Sequence, residues 1–536
     1  GVGVGDSEVT IEGRVRARKR GRVGCMLACG AQLREGIKLG NLYAFYFACF
    51  VTISTFVFLN ASQAFVFGPF VKDVNESDWG TASGQLSLYD EILSVFVLAL
   101  WGIISDKAGR KLVYGLGFLL MAAGLALYPQ ARAFWVLVLF RLVFAVGGAA
   151  GASMLTAVLG DFVIPSHLGK ASGIMGLMSG LGALMGVFVQ LRISEWLISA
   201  GMTDEMGLSI SYYISAGLAG VTGVLLFFGL HSRRMVTKDT DGVGLARTVG
   251  GGLTEMKNPI ITLAYLAGLS ARGLSLVPST FISLWVRRYY TLHPEVLLVG
   301  NATLLQNGTS LLVSNKYGEE FESIEALAIR RAAVISGILQ TVAVAAAPFV
   351  GLLLDKMNRL LSLFLVSLCG ACGCLSVYFV ANPQHALIFV SATFIGIGQI
   401  GVIIASQSLA AEYARPDVRG AVSGMFSLWG GVGVLISSSL GGFLFDIWSE
   451  RAPFFLLGFL NVITTLLALA FFIYFKKNPK KLDRYHHTTS QLKSVNTDGS
   501  IANRPVPLRS EKDVEMEERG RQGGEGEGGG RASDEK

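Results

Sequence analysis

The chain has 536 residues, of which 52% are hydrophobic and only 15% are charged, and its mean hydropathy is +0.53. Because soluble proteins carry about a quarter charged residues, this composition argues against a water-soluble core and indicates a chain embedded in lipid. The net charge of +7 comes from basic residues in short clusters between apolar runs. That pattern is typical of cytoplasmic membrane loops and does not favour a nucleic-acid-binding face.

The sequence does not indicate sulfur or nucleotide chemistry. The six cysteines do not form a disulfide framework, and Cys369, Cys372 and Cys374 lie within one apolar run. Small residues at such positions favour close helix packing, and Cys-x-x-Cys zinc or redox chemistry is the alternative. No segment resembles a phosphate-binding loop. We therefore predict no metal, no cofactor and no enzymatic activity.

Twelve apolar runs follow one another along the chain. A helix needs about 20 predominantly apolar residues to cross the hydrocarbon of a bilayer. The first six runs, which we call the first to sixth spans, are 41–69, 85–104, 112–129, 133–157, 170–190 and 210–231. The seventh to twelfth spans are 259–286, 333–353, 360–380, 386–408, 420–444 and 453–475.

Polar segments divide the chain into five parts. We expect a cytoplasmic tail at 1–39, an N-terminal six-helix bundle at 40–231, a cytoplasmic linker at 232–257, a C-terminal six-helix bundle at 258–475 and a cytoplasmic tail at 476–536. The last tail is charged and glycine-rich, and such a composition predicts disorder because it cannot bury a core.

Basic residues predict which ends of the spans are cytoplasmic. They follow the second, eighth, tenth and twelfth spans and recur in the linker, so we expect both termini in the cytoplasm. Asn75, Asn301 and Asn307 begin Asn-x-Ser/Thr sequons in the opposite loops and are candidate glycosylation sites. The loop 287–332 runs against the charge pattern. It carries four arginines on the expected outer side: Arg287, Arg288, Arg330 and Arg331.

Two polar loops recur at the same place in each half. Gly102-Ile-Ile-Ser-Asp-Lys-Ala-Gly-Arg-Lys follows the second span and Gly351-Leu-Leu-Leu-Asp-Lys-Met-Asn-Arg follows the eighth, with an offset of 249 residues between their aspartates. A second matched pair, Asp161 and Glu412, has an offset of 251 residues. The spacing indicates a parallel repeat of six spans each. We call the segments that begin at Gly102 and Gly351 the signature loops. Their candidate functional residues are Gly102, Asp106, Lys107, Gly109, Arg110, Lys111, Gly351, Asp355, Lys356 and Arg359.

The first signature loop resembles that of the major facilitator superfamily, and the resemblance covers about 40–475. The pattern is similar to that of twelve-span members of the fungal or algal type. The second copy departs from it by having Asn358 in place of the second glycine. The resemblance implies an all-α integral membrane fold, in which two pseudo-symmetric six-helix bundles flank a central substrate cavity. It also implies alternating access by rocking of the two halves.

Charges in the signature loops predict a conformational latch. An aspartate at a helix end beside basic residues can accept charge-assisted hydrogen bonds and act on neighbouring helix dipoles. We interpret Asp106, Arg110, Asp355 and Arg359 as residues that hold the cytoplasmic ends together in one state and release them in the other. Anchoring of the topology by charge alone is the alternative.

Charged residues within the spans are candidates for the site, because charge inside a membrane is costly and usually marks function. Arg141 lies about 12 Å from the outer end of the fourth span at 1.5 Å per residue. It begins a run that resembles the family's fourth-helix motif, in which the arginine serves proton or substrate coupling in many relatives. Asp90 and Glu91 enter the second span from the same side, with Asp90 about 9 Å deep. We expect an Asp90–Arg141 pair, and the alternative places both acids among the lipid headgroups.

By the same resemblance, the first, fourth, seventh and tenth spans line the cavity. They offer Asn60, Gln63, Arg141, Arg272 and Gln399 as substrate candidates beside Asp90 and Glu91. Two arginines and few acids favour an anionic substrate or a polar one held by the amides. Interhelical hydrogen bonding is the alternative for each amide.

The sequence therefore predicts a monomeric transporter of a small organic solute. We expect it to be coupled to protons through Asp90 or Arg141, and a uniporter is the second hypothesis. A transport-inactive receptor or scaffold is the third. The plasma membrane and a vacuole-like or lysosome-like endomembrane are both open as its location.

Overall fold

The computed structural model describes residues 33–34, 37–164, 167–230, 251–297, 304–307, 310–314, 321–415, 418–479 and 481–482. Within these residues, twelve helices are long and apolar enough to cross a membrane. The spans of the first half are Leu39–Ser62, Trp79–Ala108, Arg110–Leu127, Phe134–Phe162, Leu168–Met185 with its continuation Leu191–Ser199, and Asp204–Gly229. Those of the second half are Pro259–Leu292, Ile324–Lys356, Arg359–Phe379, Leu387–Tyr413, Arg419–Ile447 and Ala452–Lys477. The prediction of an all-α chain with twelve spans is confirmed.

Much of the predicted tails and linker lies outside the described residues. This applies to 1–32, to 231–250 and to 483–536, and it also applies to the sequon residue Asn301. The predictions for these segments stay predictions.

Several helices extend further than their apolar runs. The second span begins at Trp79 where 85 was expected, and the eighth begins at Ile324 where 333 was expected. Polar residues can occupy these added turns because their ends are capped, as when the Ser323 hydroxyl accepts the Glu325 N–H. The arginines expected in the loop 287–332 consequently lie on the seventh and eighth spans. That part of the loop prediction is wrong.

The first span shows the opposite difference. Its α-helix ends at Ser62, where the apolar run predicted helix to 69, and a short 3-10 turn covers Gln63–Phe65. The chain then turns through Gly68, whose φ of 91° is accessible mainly to glycine.

A π-helical turn at Gly186–Gln190 interrupts the fifth span. A Cβ at Gly186 would lie 2.7 Å from the Ser54 carbonyl oxygen, so glycine allows the first and fifth spans to touch here. The Ser54 hydroxyl donates a hydrogen bond to the Gln190 side chain. The extra residue of a π turn thereby aims a buried amide at the neighbouring span.

The segment between the seventh and eighth spans contains a small antiparallel sheet that the sequence did not predict. Its strands are β1 (Leu304–Asn307), β2 (Ser310–Ser314) and β3 (Phe321–Ser323), in the order β1-β2-β3. Leu305 pairs with Leu312, and Val313 pairs with Glu322. The sequon residue Asn307 therefore lies at the end of β1.

The two halves repeat the same helix contacts. In the first half, the third span packs on the fourth and sixth, the second on the fourth, and the first on the fifth. In the second half, the ninth packs on the tenth and twelfth, the eighth on the tenth, and the seventh on the eleventh. Each contact recurs six spans later, so the fold consists of two pseudo-symmetric six-helix bundles. The bundles meet mainly through the second and eleventh spans and through the fifth and eighth.

Candidate functional site

We call the end of the bundles that carries the signature loops the loop end, and the opposite end the far end. At the far end the second and eleventh spans touch backbone to backbone. A Cβ at Gly80 would lie 2.7 Å from the Gly442 carbonyl oxygen, and a Cβ at Gly84 would collide with that of Ser438. Small residues four apart on both helices allow this close approach.

Toward the loop end the same two spans separate. A Cβ at Gly431 would still lie 3.0 Å from the Glu91 carboxylate. Further along, a Cβ at Gly102 or at Gly420 would meet no heavy atom of the described residues within 4 Å. The second and eleventh spans thus converge at the far end and diverge at the loop end.

The fifth and eighth spans follow the same course. A Cβ at Gly180 would lie 2.5 Å from the Val344 side chain. At Gly176, Gly173 and Gly169, closer to the loop end, a Cβ would meet nothing within 4 Å among the described residues. Both contacts between the halves are therefore close at the far end. At the loop end the described parts of the four spans leave a space beside Gly102, Gly420 and Gly169–Gly176, which we call the vestibule.

Arg141 lies at the centre of the first bundle in a buried ion pair. Its Nε donates to Asp90 Oδ2 at 2.8 Å, and its Nη2 donates to Asn60 Oδ1 at 2.7 Å. The Arg141 side chain is 2% exposed and that of Asp90 is 17% exposed. Three spans thus contribute to one polar cluster, and the carboxylate is its more accessible charged member.

The longer second span explains why Asp90 reaches this position. Since the helix begins at Trp79, Asp90 lies about 16 Å from its start at 1.5 Å per residue. The alternative that placed Asp90 and Glu91 among headgroups assumed a later start. The observed helix begins earlier, and both acids have basic partners, Asp90 within its own bundle and Glu91 across the interface between the halves.

Glu91 faces the other half of the molecule. Its Oε1 lies 3.9 Å from Arg272 Nη2 on the seventh span. The Arg272 side chain is 54% exposed although its span is largely buried, and it lies against Gly430 of the eleventh span. Adjacent acids of the second span therefore pair with arginines of different bundles, Asp90 within its own half and Glu91 across the interface.

The amide candidates differ in their surroundings. The Gln63 side-chain nitrogen donates to the Ser83 carbonyl oxygen of the second span at 2.9 Å. This is an interhelical hydrogen bond, which was the alternative to substrate binding for the amides. Gln399 Oε1 is buried and has no hydrogen-bond partner among the described residues. The structure brings Asn60 together with Arg141 and places Gln63 at a helix contact.

The signature loops form matching ion pairs within each half. Arg110 Nε lies 3.0 Å from Asp161 Oδ2, and Arg359 pairs with Glu412. Asp161 and Glu412 are the residues matched in the sequence repeat. The Asp106 side chain lies outside the described residues. Four other members of these loops are at least partly exposed: Lys107, Lys111, Asp355 and Lys356.

The glycine positions of the signature loops differ in role. Gly109 joins the second and third spans with φ 95° and ψ 146°, a conformation that side chains rarely adopt. Gly102 is helical, and like Gly351 it has open space where a Cβ would be, as far as the described residues extend.

The first sequon residue lies outside the helices. Asn75 is exposed and precedes a short 3-10 turn at Glu76–Asp78. Glycosylation of Asn75, Asn301 and Asn307 stays a prediction.

Sequence reasoning missed three charge clusters at the far end, because their arginines were expected in a loop. Arg287 binds Glu325, donates to the Ala64 carbonyl oxygen at 2.6 Å and lies 4.1 Å from the Trp79 ring. From the sequence, only a continuation of the helices beyond their apolar runs could have indicated these clusters. The other two clusters are Arg288 with Asp446 and Glu450, and Arg330 with Glu195 and Arg192.

Comparison with known proteins agrees with this architecture. The sequence model described as the Major Facilitator Superfamily matches residues 53–314 and 296–508. The magnetosome protein MamH of Paramagnetospirillum magneticum is 24% identical over 400 residues, which are 73% of this chain and 83% of that protein. Citrate exporter 1 of Yarrowia lipolytica is 22% identical over 69% of this chain and 57% of the exporter.

Solved transporter structures share the fold at low sequence identity. A crystal structure of the nucleoside transporter NupG superposes with a TM-score of 0.60 and 13% identity, covering 81% of this chain and 99% of NupG. The inward-open xylose transporter XylE from E. coli gives a TM-score of 0.55 and 14% identity over 80% of this chain and 95% of XylE. Together with the family match over most of the chain, these findings identify a multi-pass membrane transporter that belongs to the major facilitator superfamily.

Proposed function

We propose that the chain moves a small organic solute across its membrane by alternating access, with coupling to protons through Asp90 and Arg141. The observation that carries the proposal is the buried Arg141 bound to Asp90 and Asn60 from two other spans. A charged residue at this depth is costly unless paired, and such residues commonly serve ion and substrate pathways.

Protonation of Asp90 would change the balance of charge around Arg141. A proton on Asp90 removes the negative charge that faces Arg141 and leaves a buried guanidinium with only neutral described partners, the Asn60 side chain and the Tyr128 hydroxyl. An uncompensated buried charge is strongly unfavourable, so protonation favours a state in which Arg141 finds another acceptor. A solute carboxylate or hydroxyl would supply one, which links proton and solute binding through a shift in conformational populations.

Arg272 supports a solute with an anionic group. Its guanidinium is an exposed cation of the central region, and Glu91 at 3.9 Å lies beyond hydrogen-bond distance. An incoming carboxylate can therefore bind Arg272 without first breaking a hydrogen bond to Glu91. The relation to a citrate exporter fits this class, although the nucleoside and xylose transporters share the fold as well.

Uptake in proteoliposomes with an imposed pH gradient tests the coupling. A thermal-shift panel of citrate, 5-aminolevulinic acid, xylose and nucleosides first selects the solute, because a ligand that binds the folded state raises its stability. We expect Asp90→Asn and Arg141→Ala to abolish gradient-driven accumulation. The exposed ion pair Arg132–Glu205 in the same half is the matched control, and Glu205→Gln should retain accumulation.

The outcomes separate the competing functions. Uptake that survives both variants with unchanged pH dependence would show the coupling proposal to be wrong. Downhill uptake by the unmodified protein without any effect of the pH gradient would indicate a uniporter. Failure of every solute to shift the melting temperature or to be taken up would favour a receptor or scaffold.

The topology is also a proposal. We place the loop end, and with it both termini, in the cytoplasm because the basic residues cluster there. The plasma membrane and a vacuole-like or lysosome-like membrane both accommodate this orientation. Protease protection of an epitope attached to either terminus in sealed cells or vesicles would test it.

A further inference from the structure

Asp446, at the far end of the eleventh span, caps the second span of the opposite half. Its Oδ1 accepts the Gly80 N–H at 3.0 Å, and its Oδ2 accepts the Thr81 N–H at 2.6 Å. Both donors belong to the first turn of the helix that begins at Trp79, where backbone N–H groups lack partners within their own helix. A carboxylate here also faces the positive end of the helix dipole. The cap therefore joins the two bundles through backbone groups.

The carboxylate is buried and balanced by charge from its own half. The Asp446 side chain is 7% exposed, and Arg288 Nη1 of the seventh span lies 3.3 Å from its Oδ1. Arg288 Nε also lies 3.6 Å from Glu450, and its guanidinium lies 5.4 Å from the Phe445 ring. The seventh and eleventh spans thus hold Asp446 in place as a preformed acceptor for the second span.

The second span connects the Asp446 cap mechanically to the candidate transport site. It is one continuous helix from Trp79 to Ala108, so Asp446 at its start and Glu91 near its middle act on the same rigid element. Between them, Gly84 packs against Ser438 of the eleventh span. Release of the cap lets the start of the helix leave the eleventh span, and a rigid helix then brings its loop end toward the other half.

We propose that Asp446 is a positioning residue of the transport cycle, which stabilises the state open at the loop end by capping the second span across the two bundles. The inference rests on the alternating-access part of the proposed function. It does not depend on the solute or on proton coupling. Weakening the cap should close the loop end and open the far end.

The chain contains a matched control for this chemistry. Asp73 accepts the Phe134 N–H at the start of the fourth span through both carboxylate oxygens, at 3.1 and 3.0 Å. Asp73 and the fourth span belong to the same bundle. The same substitution at Asp73 therefore removes a charged helix cap without altering a contact between the halves.

Hydrogen exchange of the full chain in nanodiscs, without solute or pH gradient, tests the proposal. Asp446→Asn should speed amide exchange about five- to tenfold at 79–84, since it weakens two charge-assisted bonds. It should also slow exchange at the loop-end turns 100–105 and 419–424 as the vestibule closes. Asp73→Asn should speed exchange at 134–137 and leave both loop-end segments unchanged.

Opposite changes at the two ends distinguish a gate from a local cap. If Asp446→Asn speeds exchange at the far end but leaves the loop end unchanged, or speeds it there as well, the proposal is overturned. If Asp446→Asn does not yield folded protein, Arg288→Gln takes its place. This variant removes the cation that balances the Asp446 carboxylate and leaves both carboxylate oxygens to accept the Gly80 and Thr81 N–H groups. Unaltered loop-end exchange in Arg288→Gln would equally overturn the proposal. Because no solute or gradient is used, neither result depends on proton coupling.

Discussion

Gly109 sets the angle between the second and third spans at the level of a single residue. Its φ of 95° and ψ of 146° lie in a region open almost solely to glycine, and its N–H donates to the Ser105 carbonyl oxygen at 3.0 Å. The neighbouring glycine of the same loop, Gly102, is helical and has open space beside it among the described residues. The two glycines therefore serve different physical purposes within one motif.

We expect Gly109→Ala to destabilise the protein by about 1–3 kcal/mol, because a Cβ strains this backbone conformation. Gly102→Ala is the control and should be neutral or slightly stabilising, since alanine favours a helix over glycine by about 1 kcal/mol. Thermal unfolding in detergent, followed by loss of the monodisperse peak in size-exclusion chromatography, measures both. Equal melting temperatures for the two variants would contradict the assignment.

Individual charged residues were predictable where physics required a partner nearby. An arginine and an aspartate at similar depths in apolar runs have to neutralise each other, and the structure pairs Arg141 with Asp90. The Glu91–Arg272 contact could not be predicted in the same way. It joins different bundles, and hydropathy and spacing carry no information on how the two halves meet.

At the scale of elements, each half has an equivalent ion pair between two of its helices at the loop end. Arg110 at the start of the third span binds Asp161 at the end of the fourth, and Arg359 at the start of the ninth binds Glu412 at the end of the tenth. The latch proposed for these loops acts between the halves, whereas these pairs stabilise each half separately. Neither pair joins the two halves, so the latch stays a prediction.

A double-mutant cycle of Arg110→Gln and Asp161→Asn should give a coupling energy of about 1 kcal/mol for the partly buried pair. The exposed pair Arg132–Glu205 should give less, because solvent screens it. Urea unfolding or thermal unfolding of the four variants of each cycle measures the coupling. A coupling near zero for Arg110 and Asp161 would mean that the pair does not stabilise its half.

Helix ends were the least predictable feature of the elements. Hydropathy marks the part of a helix inside the hydrocarbon, whereas helices continue into polar turns when caps satisfy their backbone groups. The eighth span gains its first turns through the Ser323 cap, and the sixth begins at Asp204, where 210 was expected, with the Thr203 hydroxyl as its cap. Neither cap lies in an apolar run. For the same reason, the far-end arginines were misplaced in a loop.

At the scale of the whole molecule, the second and eleventh spans join the two halves through a close far-end contact. The helices can approach only because Gly80, Gly84 and Gly442 lack side chains, and a Cβ at Gly84 would collide with the Ser438 carbonyl group. A backbone group cannot rotate away as a side chain can, so the helices themselves must separate. A larger residue at this position therefore acts as a wedge between the halves.

We expect Gly84→Val to shift the population toward the state closed at the loop end. A cysteine introduced at Gly173 serves as the reporter, because a Cβ there has open space in the vestibule. Its rate of alkylation is measured in a protein from which the native cysteines have been removed. The rate should fall about tenfold with Gly84→Val, because a lower population of the open state lowers the observed rate in proportion. Gly217→Val is the control, because it adds the same volume on the exposed face of the sixth span, where a Cβ meets nothing within 4 Å among the described residues. It should leave the alkylation rate unchanged. A second reporter, Gly420→Cys on the eleventh span, tests whether the same end closes on the other half. If the wedge speeds alkylation at both reporters, the halves separate as a whole and do not rock about the central site.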